Sequence, residues 1–289
     1  PIDATLLSRF APPMFLESVL VHPQLGVLVT DMVGGRVLRV DAAGTTTEFF
    51  HLPAPGMNWA MCLAAVADGV LLTVISPDPT VHGVWHVATS GAAQRRAALP
   101  PGTMPNGIAV MDNGAALVAD SSGARLWHVD RAGNVRVWLE HPLLQPRAFL
   151  GRFPGPNGVQ VWNGSAYVAV SDRGHIVRVP ITGGNDAGEP QVLYADVAAD
   201  DFAIDADGTM YFATHPFDTI IRIDGAGKRS ILAGTTQGIT GPTAVALTRD
   251  PAGSVVLYAV TDGGLYRQPG AVPIPVPLQV PGLYRLSLQ

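Results

Sequence analysis

Apolar and polar residues alternate in a short phrase that recurs six times along the 289 residues of the chain. In each copy one variable residue, here called the lead residue, precedes alternating apolar positions, and successive leads lie about 40 to 50 positions apart. The leads are Glu17, Trp59, Asn106, Asn157, Asp200 and Thr243. A period of this length, built of short strands, is typical of a β-propeller with one blade per repeat. The pattern predicts an all-β, six-bladed β-propeller that fills residues 1–289 as a single domain.

Each repeat contains three further strand signals after the lead phrase. Turn formers such as those at 112–114, 162–164 and 206–208 precede a second apolar run, and a strictly alternating third run follows. In the last repeat the third run is residues 264–267, and a shorter outer strand completes the other repeats. Four antiparallel strands per repeat is the composition of a propeller blade. Residues 4–10 precede the first lead phrase, and we expect them to supply the outer strand of the last blade, because this hides an exposed edge.

Chain direction predicts which loops lie beside the lead residues. If each inner strand begins at one end of its blade, the loop between the second and third strands returns to that same end. These loops carry Met32, Asp120, His215 and Phe217. The longest irregular segment, residues 141–156, also ends at a lead residue, and long loops often cover binding sites. We expect it to roof the ring of lead residues and to bring Phe149 and Phe153 there.

Composition excludes several classes of partner. The chain has 47% hydrophobic residues and a net charge of −5, which favours a packed core over disorder and argues against nucleic acid. No apolar run is long enough for a membrane helix, so we expect a soluble protein without a membrane partner. The compartment stays open between the cytoplasm and secretion with removal of a leader, and so does the oligomeric state. The lone cysteine, Cys62, lies in an apolar strand and is interpreted as a core residue.

Four of the six lead residues carry side-chain oxygens. Singly, such residues are ordinary turn formers, but Glu17, Asn106, Asn157 and Asp200 share one position of a repeat. Carboxylate and amide oxygens suit a hard divalent cation such as Ca²⁺, and there is no set of His or Cys to indicate zinc. The pattern therefore predicts a metal or ligand site at these four leads.

The same four residues resemble the metal quartet of the SMP-30/gluconolactonase/LRE-like superfamily, whose six-bladed propellers include lactonases and a calcium-dependent fluorophosphatase. The resemblance covers nearly the whole chain and implies that Glu17, Asn106, Asn157 and Asp200 bind Ca²⁺. The phrases at 199–205 and 211–216 are similar to a fungal-type SMP-30-like branch. That branch includes proteins assigned as hydrolases and hetero-Diels–Alderases, so the resemblance implies either activity.

The chain departs from the sugar lactonases in ways that predict its substrate. Met104 and Pro105 precede Asn106 where those enzymes carry a sugar-binding arginine, which makes a polyhydroxylated lactone a poor candidate. We expect a small, largely apolar molecule instead, bound in a central pocket. The predicted substrate-binding residues are Met32, Trp59, Met61, Asp120, Phe149, Phe153, Phe217 and Thr243.

Candidate catalytic groups are few. There is no Gly-x-Ser-x-Gly phrase, whereas His215 has a side chain that titrates near neutrality and is the best general acid or base. The carboxylates Asp200 and Asp201 are the other candidates, and the sequence leaves open which of them faces the site. The leading hypothesis is metal-assisted hydrolysis of a lactone or ester. Alternatives are a pericyclase that orients a reactive polyene for natural-product cyclisation, or a non-catalytic ligand-binding propeller.

Overall fold

The repeats form six antiparallel sheets. The structure is a computed structural model that describes residues 2–53, 56–147, 154–215, 217–265 and 280–288. It is organised in two compact units, Pro1–His51 with Asp200–Gln289, and Leu52–Ala199. Each unit contains three blades, and we number the blades 1 to 6 in chain order. The fold is the predicted six-bladed β-propeller of four-stranded blades, while the assignment of a single domain stays a prediction.

The first unit holds blades 1, 5 and 6. Blade 1 consists of β2 (Leu16–His22), β3 (Gly26–Asp31), β4 (Arg36–Val40) and β5 (Thr46–His51). Blade 5 consists of β19 (Phe202–Ile204), β20 (Met210–Ala213), β21 (Ile220–Ile223) and β22 (Arg229–Ala233). Blade 6 consists of β23 (Pro242–Arg249), β24 (Val255–Thr261), β25 (Gly282–Ser287) and β1 (Asp3–Arg9).

The second unit holds blades 2, 3 and 4. Blade 2 consists of β6 (Trp59–Val66), β7 (Gly69–Ile75), β8 (Gly83–Ala88) and β9 (Ala93–Ala98). Blade 3 consists of β10 (Pro105–Val110), β11 (Ala116–Asp120), β12 (Arg125–Val129) and β13 (Val135–Glu140). Blade 4 consists of β14 (Pro156–Trp162), β15 (Ser165–Val170) and β16 (His175–Thr182), with β17 (Asp186–Ala187) and β18 (Gln191–Tyr194) both paired to β16. Short 3₁₀ turns occur at Pro142–Leu144, Ser171–Arg173 and, in the first unit, Thr235–Gln237.

The two ends of the described chain meet in blade 6. β1 pairs antiparallel with β25 from Asp3 opposite Ser287 to Arg9 opposite Gly282. The prediction that the N-terminal segment supplies the outer strand of the last blade is confirmed. The predicted third strand at 264–267 is wrong: residues 264 and 265 lie outside strands, and β25 is the third strand. The error arises because a second apolar alternation, at 282–287, follows only after a long segment of which 266–279 lie outside the described residues.

Apolar side chains fill the space between neighbouring sheets. In the first unit, one cluster joins blades 1 and 6 through residues such as Leu16, Val29 and Val260, and another joins blades 5 and 6 through Tyr211 and Leu257. The inner strands are buried almost throughout, whereas the outer strands β5, β13 and β22 are largely exposed. This gradient is what alternating strands stacked face to face produce. No helix of the described residues has the length and apolar character needed to cross a membrane.

Candidate functional site

The lead residues lie at an irregularity of the inner strands. The pairing register with the second strand shifts between Leu16 and Val19 in blade 1, between Pro105 and Ile108 in blade 3, and between Pro156 and Val159 in blade 4. Such bulges turn a side chain out of the regular alternation. They explain why Glu17, Asn106 and Asn157 can be buried polar residues in otherwise apolar strands.

The same register corrects the lead residue of blade 2. There the shift lies between Ala60 and Leu63, so Met61 occupies the position of Glu17, and Trp59 does not. A repeated hydrogen bond supports this alignment, because the Thr73 hydroxyl accepts the Cys62 N–H as the Thr30 hydroxyl accepts the Ser18 N–H. Sequence spacing alone missed the offset of two residues, although the equivalent threonines of the second strands carried the signal.

In the first unit, three aspartates come together around Glu17. Burial, and then the charges of Asp200, Asp201 and Asp262, raise the pKa of Glu17 well above its ordinary value. Glu17 is 7% exposed. A buried carboxyl surrounded by like charges holds its proton unless a cation balances the site.

His215 lies between two of these carboxylates. Its Nε2 is 3.1 Å from Asp262 Oδ2, and its Nδ1 is 3.4 Å from Asp200 Oδ2. The pKa of His215 is raised: burial alone would lower it, but the hydrogen bond to Asp262 and the charges of Asp200, Asp262 and Asp218 outweigh burial. The loop after β20 and the loop after β24 thus both reach the lead residues, as chain direction predicted. We call Glu17, Asp200, Asp201, His215 and Asp262 the acid–histidine cluster.

Asp200 and Asp201 have different surroundings. The Asp200 side chain is 11% exposed and approaches His215, while its N–H donates to Ala213 O. Asp201 Oδ1 accepts the N–H of Phe202 at 2.8 Å, and its own N–H donates to Thr243 O. Asp201 therefore holds the start of β19, and Asp200 is the carboxylate that contacts the histidine.

Asp262 belongs to a set of aspartates that end the second strand in several blades. In blade 1 Asp31 accepts the Gly34 N–H and pairs with Arg36 of its own blade. In blade 6 Asp262 accepts the Gly264 N–H in the same way, but its second oxygen contacts His215 of blade 5. One carboxylate oxygen of Asp262 therefore contacts the histidine of the neighbouring blade instead of a group of its own blade.

The predicted asparagine ligands lie in the second unit, on the inner strands of blades 3 and 4. Asn157 Nδ2 donates to Ser171 Oγ at 3.1 Å, and that hydroxyl donates to Ala199 O. This chain identifies which end of the Asn157 amide is the oxygen. In blade 3 the Cys62 thiol donates to Asn106 Oδ1 at 3.3 Å, so the cysteine is a buried core residue that also contacts a predicted ligand.

Two predicted substrate contacts have structural roles. Asp120 is 1% exposed, and its carboxylate accepts the N–H groups of Met104 and Gly123 and the Trp127 indole N–H. Thr243 has no exposed surface, and its hydroxyl donates to Leu16 O at 2.7 Å. Both side chains are enclosed and hydrogen-bonded within their units, and their contact with a substrate stays a prediction.

The predicted apolar substrate-binding residues differ in how much of their surface is exposed. Met61 is 4% exposed, Met32 and Trp59 are half-buried, and Phe217 is 49% exposed. Phe149 and Phe153 lie outside the described residues, as do all residues 148–153 of the predicted roof at 141–156. In the first unit, two further exposed apolar residues occur on loops that follow second strands, namely Val33 at 49% and Leu265 at 58%.

Within the described ranges, no group of three or more His, Cys, Asp or Glu side chains is arranged to hold a metal ion. The predicted quartet contains only two residues of these types, Glu17 and Asp200, together with two asparagines. A mixed set of carboxylate and amide oxygens is still the donor chemistry that Ca²⁺ prefers. The surplus of buried negative charge around Glu17 also fits a divalent cation.

Comparisons with known proteins give structural relatives and no sequence relatives. No family model matches the chain, and no curated protein matches it. Among solved structures, a gluconolactonase from Xanthomonas campestris is 15% identical with a TM-score of 0.70, covering 100% of this chain and 90% of its own. The calcium-binding protein regucalcin from Agrobacterium tumefaciens is 18% identical with a TM-score of 0.67, covering 99% and 97%. Virginiamycin B lyase from Staphylococcus aureus is 17% identical with a TM-score of 0.65, covering 100% of both chains.

At these identities the likeness is one of fold. The resemblance to the SMP-30/gluconolactonase superfamily predicted this architecture, and the similar structures confirm it. The chain therefore has the six-bladed propeller fold found in gluconolactonase- and regucalcin-type proteins.

Proposed function

We propose that this protein is a hydrolase that cleaves a lactone or ester bond in a small, largely apolar molecule with the help of a divalent cation. The observation that carries the proposal is the acid–histidine cluster, in which a buried imidazole lies between Asp262 and Asp200 beside Glu17. Two proteins of similar fold add support. One is named a gluconolactonase, which refers to a lactone bond, and the other, regucalcin, is described as a calcium-binding protein.

The cation would be held by Glu17 and Asp200, with Asn106 and Asn157 as the further predicted ligands. Its chemistry would be that of a Lewis acid, which polarises a carbonyl oxygen. A cation would also lower the cost of ionising Glu17, whose pKa is raised first by burial and then by the charges of the neighbouring aspartates, because it would balance those charges.

Proton transfer is assigned to the pair of Asp200 and His215. Of the two carboxylates that contact His215, Asp200 is the more exposed, since its side chain is 11% exposed whereas that of Asp262 is fully buried. The pair takes the proton from the attacking water as one coupled unit. Asp262 fixes the ring orientation through Nε2 and does not itself reach the substrate.

The substrate class follows from what surrounds the cluster within the first unit. Val33, Phe217 and Leu265 each expose about half of their surface on loops that follow the second strands of blades 1, 5 and 6. Exposed apolar side chains on loops beside a polar cluster suit a ligand with one reactive polar group and an apolar body.

Calcium binding is the first test. The melting temperature is measured in EDTA and in Ca²⁺ for the wild type, for Glu17→Gln, and for Glu48→Gln as a control on the exposed strand β5. We expect Ca²⁺ to stabilise the wild type and Glu48→Gln but not Glu17→Gln. In EDTA at neutral pH, Glu17→Gln is expected to melt about 2 °C higher than the wild type, because it removes a buried carboxyl from an acidic cluster. No response of the wild type to Ca²⁺, or an equal response of Glu17→Gln, contradicts the cation.

Hydrolysis is the second test, with 4-nitrophenyl butyrate and dihydrocoumarin as probes. We expect activity that EDTA abolishes and Ca²⁺ restores, and a loss of about 100-fold or more in His215→Gln. Hydrolysis that survives both EDTA and His215→Gln would overturn the assignment. Absence of hydrolysis by the calcium-loaded protein would favour the pericyclase or the binding propeller instead.

A further inference from the structure

A cavity lies in the first unit, between blades 5 and 6, at the ends of the strands opposite to the acid–histidine cluster. Its volume is about 540 Å³, within the range of small-molecule sites. The hairpin loops after β19 and β23 and the terminal residues of β1 and β25 border it. Ile2, Leu232, Val255 and Leu288, which pack against the core between these blades, form its apolar part.

One wall of the cavity carries a buried donor that lacks a partner. Arg222 lines the cavity, and its Nε is buried with no hydrogen-bond partner among the described residues. A charged donor left unpaired in the interior costs more than a neutral one, so such groups are rare unless something binds to them.

The equivalent arginines of blades 4 and 6 both donate a hydrogen bond to a serine hydroxyl. A tyrosine on the second strand faces an arginine on the third strand in blades 4, 5 and 6, as in the pairs Tyr167 with Arg178 and Tyr211 with Arg222. In blade 4, Arg178 Nε donates to Ser165 Oγ at 3.1 Å. In blade 6, Arg285 donates to Ser287 Oγ at 2.8 Å. Arg285 uses Nη1 and a serine of its own strand, so blade 6 does not repeat the arrangement of blade 4, and Arg222 is the one of these three arginines whose Nε is buried without a partner among the described residues.

Blade 5 has a hydroxyl at the equivalent position, but that hydroxyl is engaged elsewhere. Thr209 stands where blade 4 has Ser165, and its side chain is hydrogen-bonded to Asp207. Arg222 contacts the Tyr211 hydroxyl, which accepts from the guanidinium and so keeps its own proton to donate. Arg222 and Tyr211 therefore both line the cavity and are the residues there that combine a guanidinium with a hydroxyl donor.

The charges around these donors decide which ligand fits. Arg249 at the other side of the cavity is neutralised by Asp205 through two contacts of 2.6 and 2.8 Å. Asp3 and Asp207 are exposed, so solvent screens them, but they disfavour a ligand with two negative charges. Arg222 is half-buried and interacts with the exposed Asp207, and it is the cation of this cavity that lies beside the apolar floor without, among the described residues, a direct carboxylate contact such as that of Arg249.

We propose that this cavity is a binding site for a small monocarboxylate with an apolar body, whose carboxylate accepts hydrogen bonds from Arg222 and Tyr211. The apolar body lies on Ile2, Leu232, Val255 and Leu288. The site is separate from the acid–histidine cluster and does not depend on the hydrolase proposal.

The test uses 3-phenylpropionate as the probe, measured by calorimetric titration of the intact protein. We expect binding by the wild type, with affinity about tenfold or more weaker in Arg222→Met and unchanged in the matched variant Arg178→Met of blade 4. The neutral 3-phenylpropionamide and inorganic phosphate are expected to bind at least tenfold more weakly than the carboxylate. Absence of binding, equal binding by Arg222→Met, or equal binding of the amide would overturn the proposal.

A ligand-free measurement keeps the proposal testable if a variant is unstable. Arg178→Met loses the hydrogen bond from Nε to Ser165, whereas Arg222→Met loses the contact with the Tyr211 hydroxyl but also removes an Nε–H that is buried without a partner among the described residues. We therefore expect the melting temperature to fall more in Arg178→Met than in Arg222→Met. An equal or larger fall in Arg222→Met would mean that the donor is satisfied within the protein, and the proposal would fail.

Discussion

At the scale of single residues, the aspartates at the ends of the second strands of blades 1, 3 and 6 show how one repeated position acquires different chemistry. Both carboxylate oxygens of Asp31 and of Asp120 accept hydrogen bonds within their own blades. One oxygen accepts from a loop N–H, and the other accepts from an arginine in blade 1 or from an indole in blade 3. Asp262 keeps the loop contact to Gly264 but directs its other oxygen to His215. A structural position of the repeat thus becomes a positioning residue for the histidine.

Replacement of Asp262 by Asn tests this role. Because the hydrogen bond and the charge of Asp262 both help to raise the pKa of His215, we expect that pKa to fall in Asp262→Asn. The measurement is an NMR titration of the histidine Cε1 protons, assigned with His215→Gln. Asp41→Asn, at an exposed turn of blade 1, is the control and is expected to leave the titration unchanged.

The sign of the linked effect on stability follows from the direction of the shift. A raised folded-state pKa contributes stability that is present below the unfolded-state pKa and is lost as the pH rises through the folded value. Stability of the wild type is therefore expected to fall over this window more steeply than that of Asp262→Asn. A His215 titration that is the same in both proteins would show that Asp262 does not act on the ring.

At the scale of elements, loops bring the cluster together, and their backbone geometry sets the distances. Gly241, just before β23, has φ of +59°, and its N–H donates to Asp218 Oδ1 at 2.7 Å. A Cβ at this position would lie 1.8 Å from Asp262 Oδ1. The close approach of the chain to Asp262 is possible only because residue 241 has no side chain.

Gly241→Ala is therefore expected to displace Asp262 and to destabilise the protein by about 2 kcal/mol or more, from the left-handed backbone and the clash together. Gly26→Ala is the matched control: its φ is +77°, but nothing lies within 4 Å of the added Cβ. The free energy of unfolding from denaturant titrations compares the two. Equal losses in both variants would mean that the approach to Asp262 adds nothing to the backbone strain.

At the scale of the whole molecule, the first unit is built from both ends of the sequence. β1 from the N-terminal region and β25 from the C-terminal region are neighbours in one sheet, and Leu6 packs into the core between blades 5 and 6. Thr5 beside it is exposed, as strand alternation requires. Blade 6 therefore depends on contacts between segments that are far apart along the chain.

A pair of substitutions in β1 measures this dependence. Leu6→Asp is expected to destabilise the protein by about 3 kcal/mol, because it places an unpaired charge against the core. Thr5→Asp, on the opposite face of the same strand, is expected to change stability by less than about 0.5 kcal/mol. Unfolding followed by tryptophan fluorescence provides the comparison, and similar losses in the two variants would contradict the pairing described for β1.

Much of this architecture could be predicted from the sequence because it depends on local periodicity. Alternating apolar residues, turn formers and a repeat of about 40 to 50 residues predicted the six blades, their strands except the third strand of blade 6, and the outer position of β1. Chain direction also predicted that the loop of His215 would approach the lead residues, which the structure confirms within the first unit. These properties follow from side-chain alternation along each strand.

Only the tertiary structure decided what depends on register and on partners from other blades. The bulges of the inner strands place Met61, and not Trp59, at the position of Glu17. His215 contacts Asp262, which is 47 residues away in the sequence, and Arg222 Nε has no counterpart of the serine hydroxyl that accepts from Arg178 Nε. Local patterns specify which face of a strand is buried, but a bulge, a diverted carboxylate or an unpaired donor results from packing between blades.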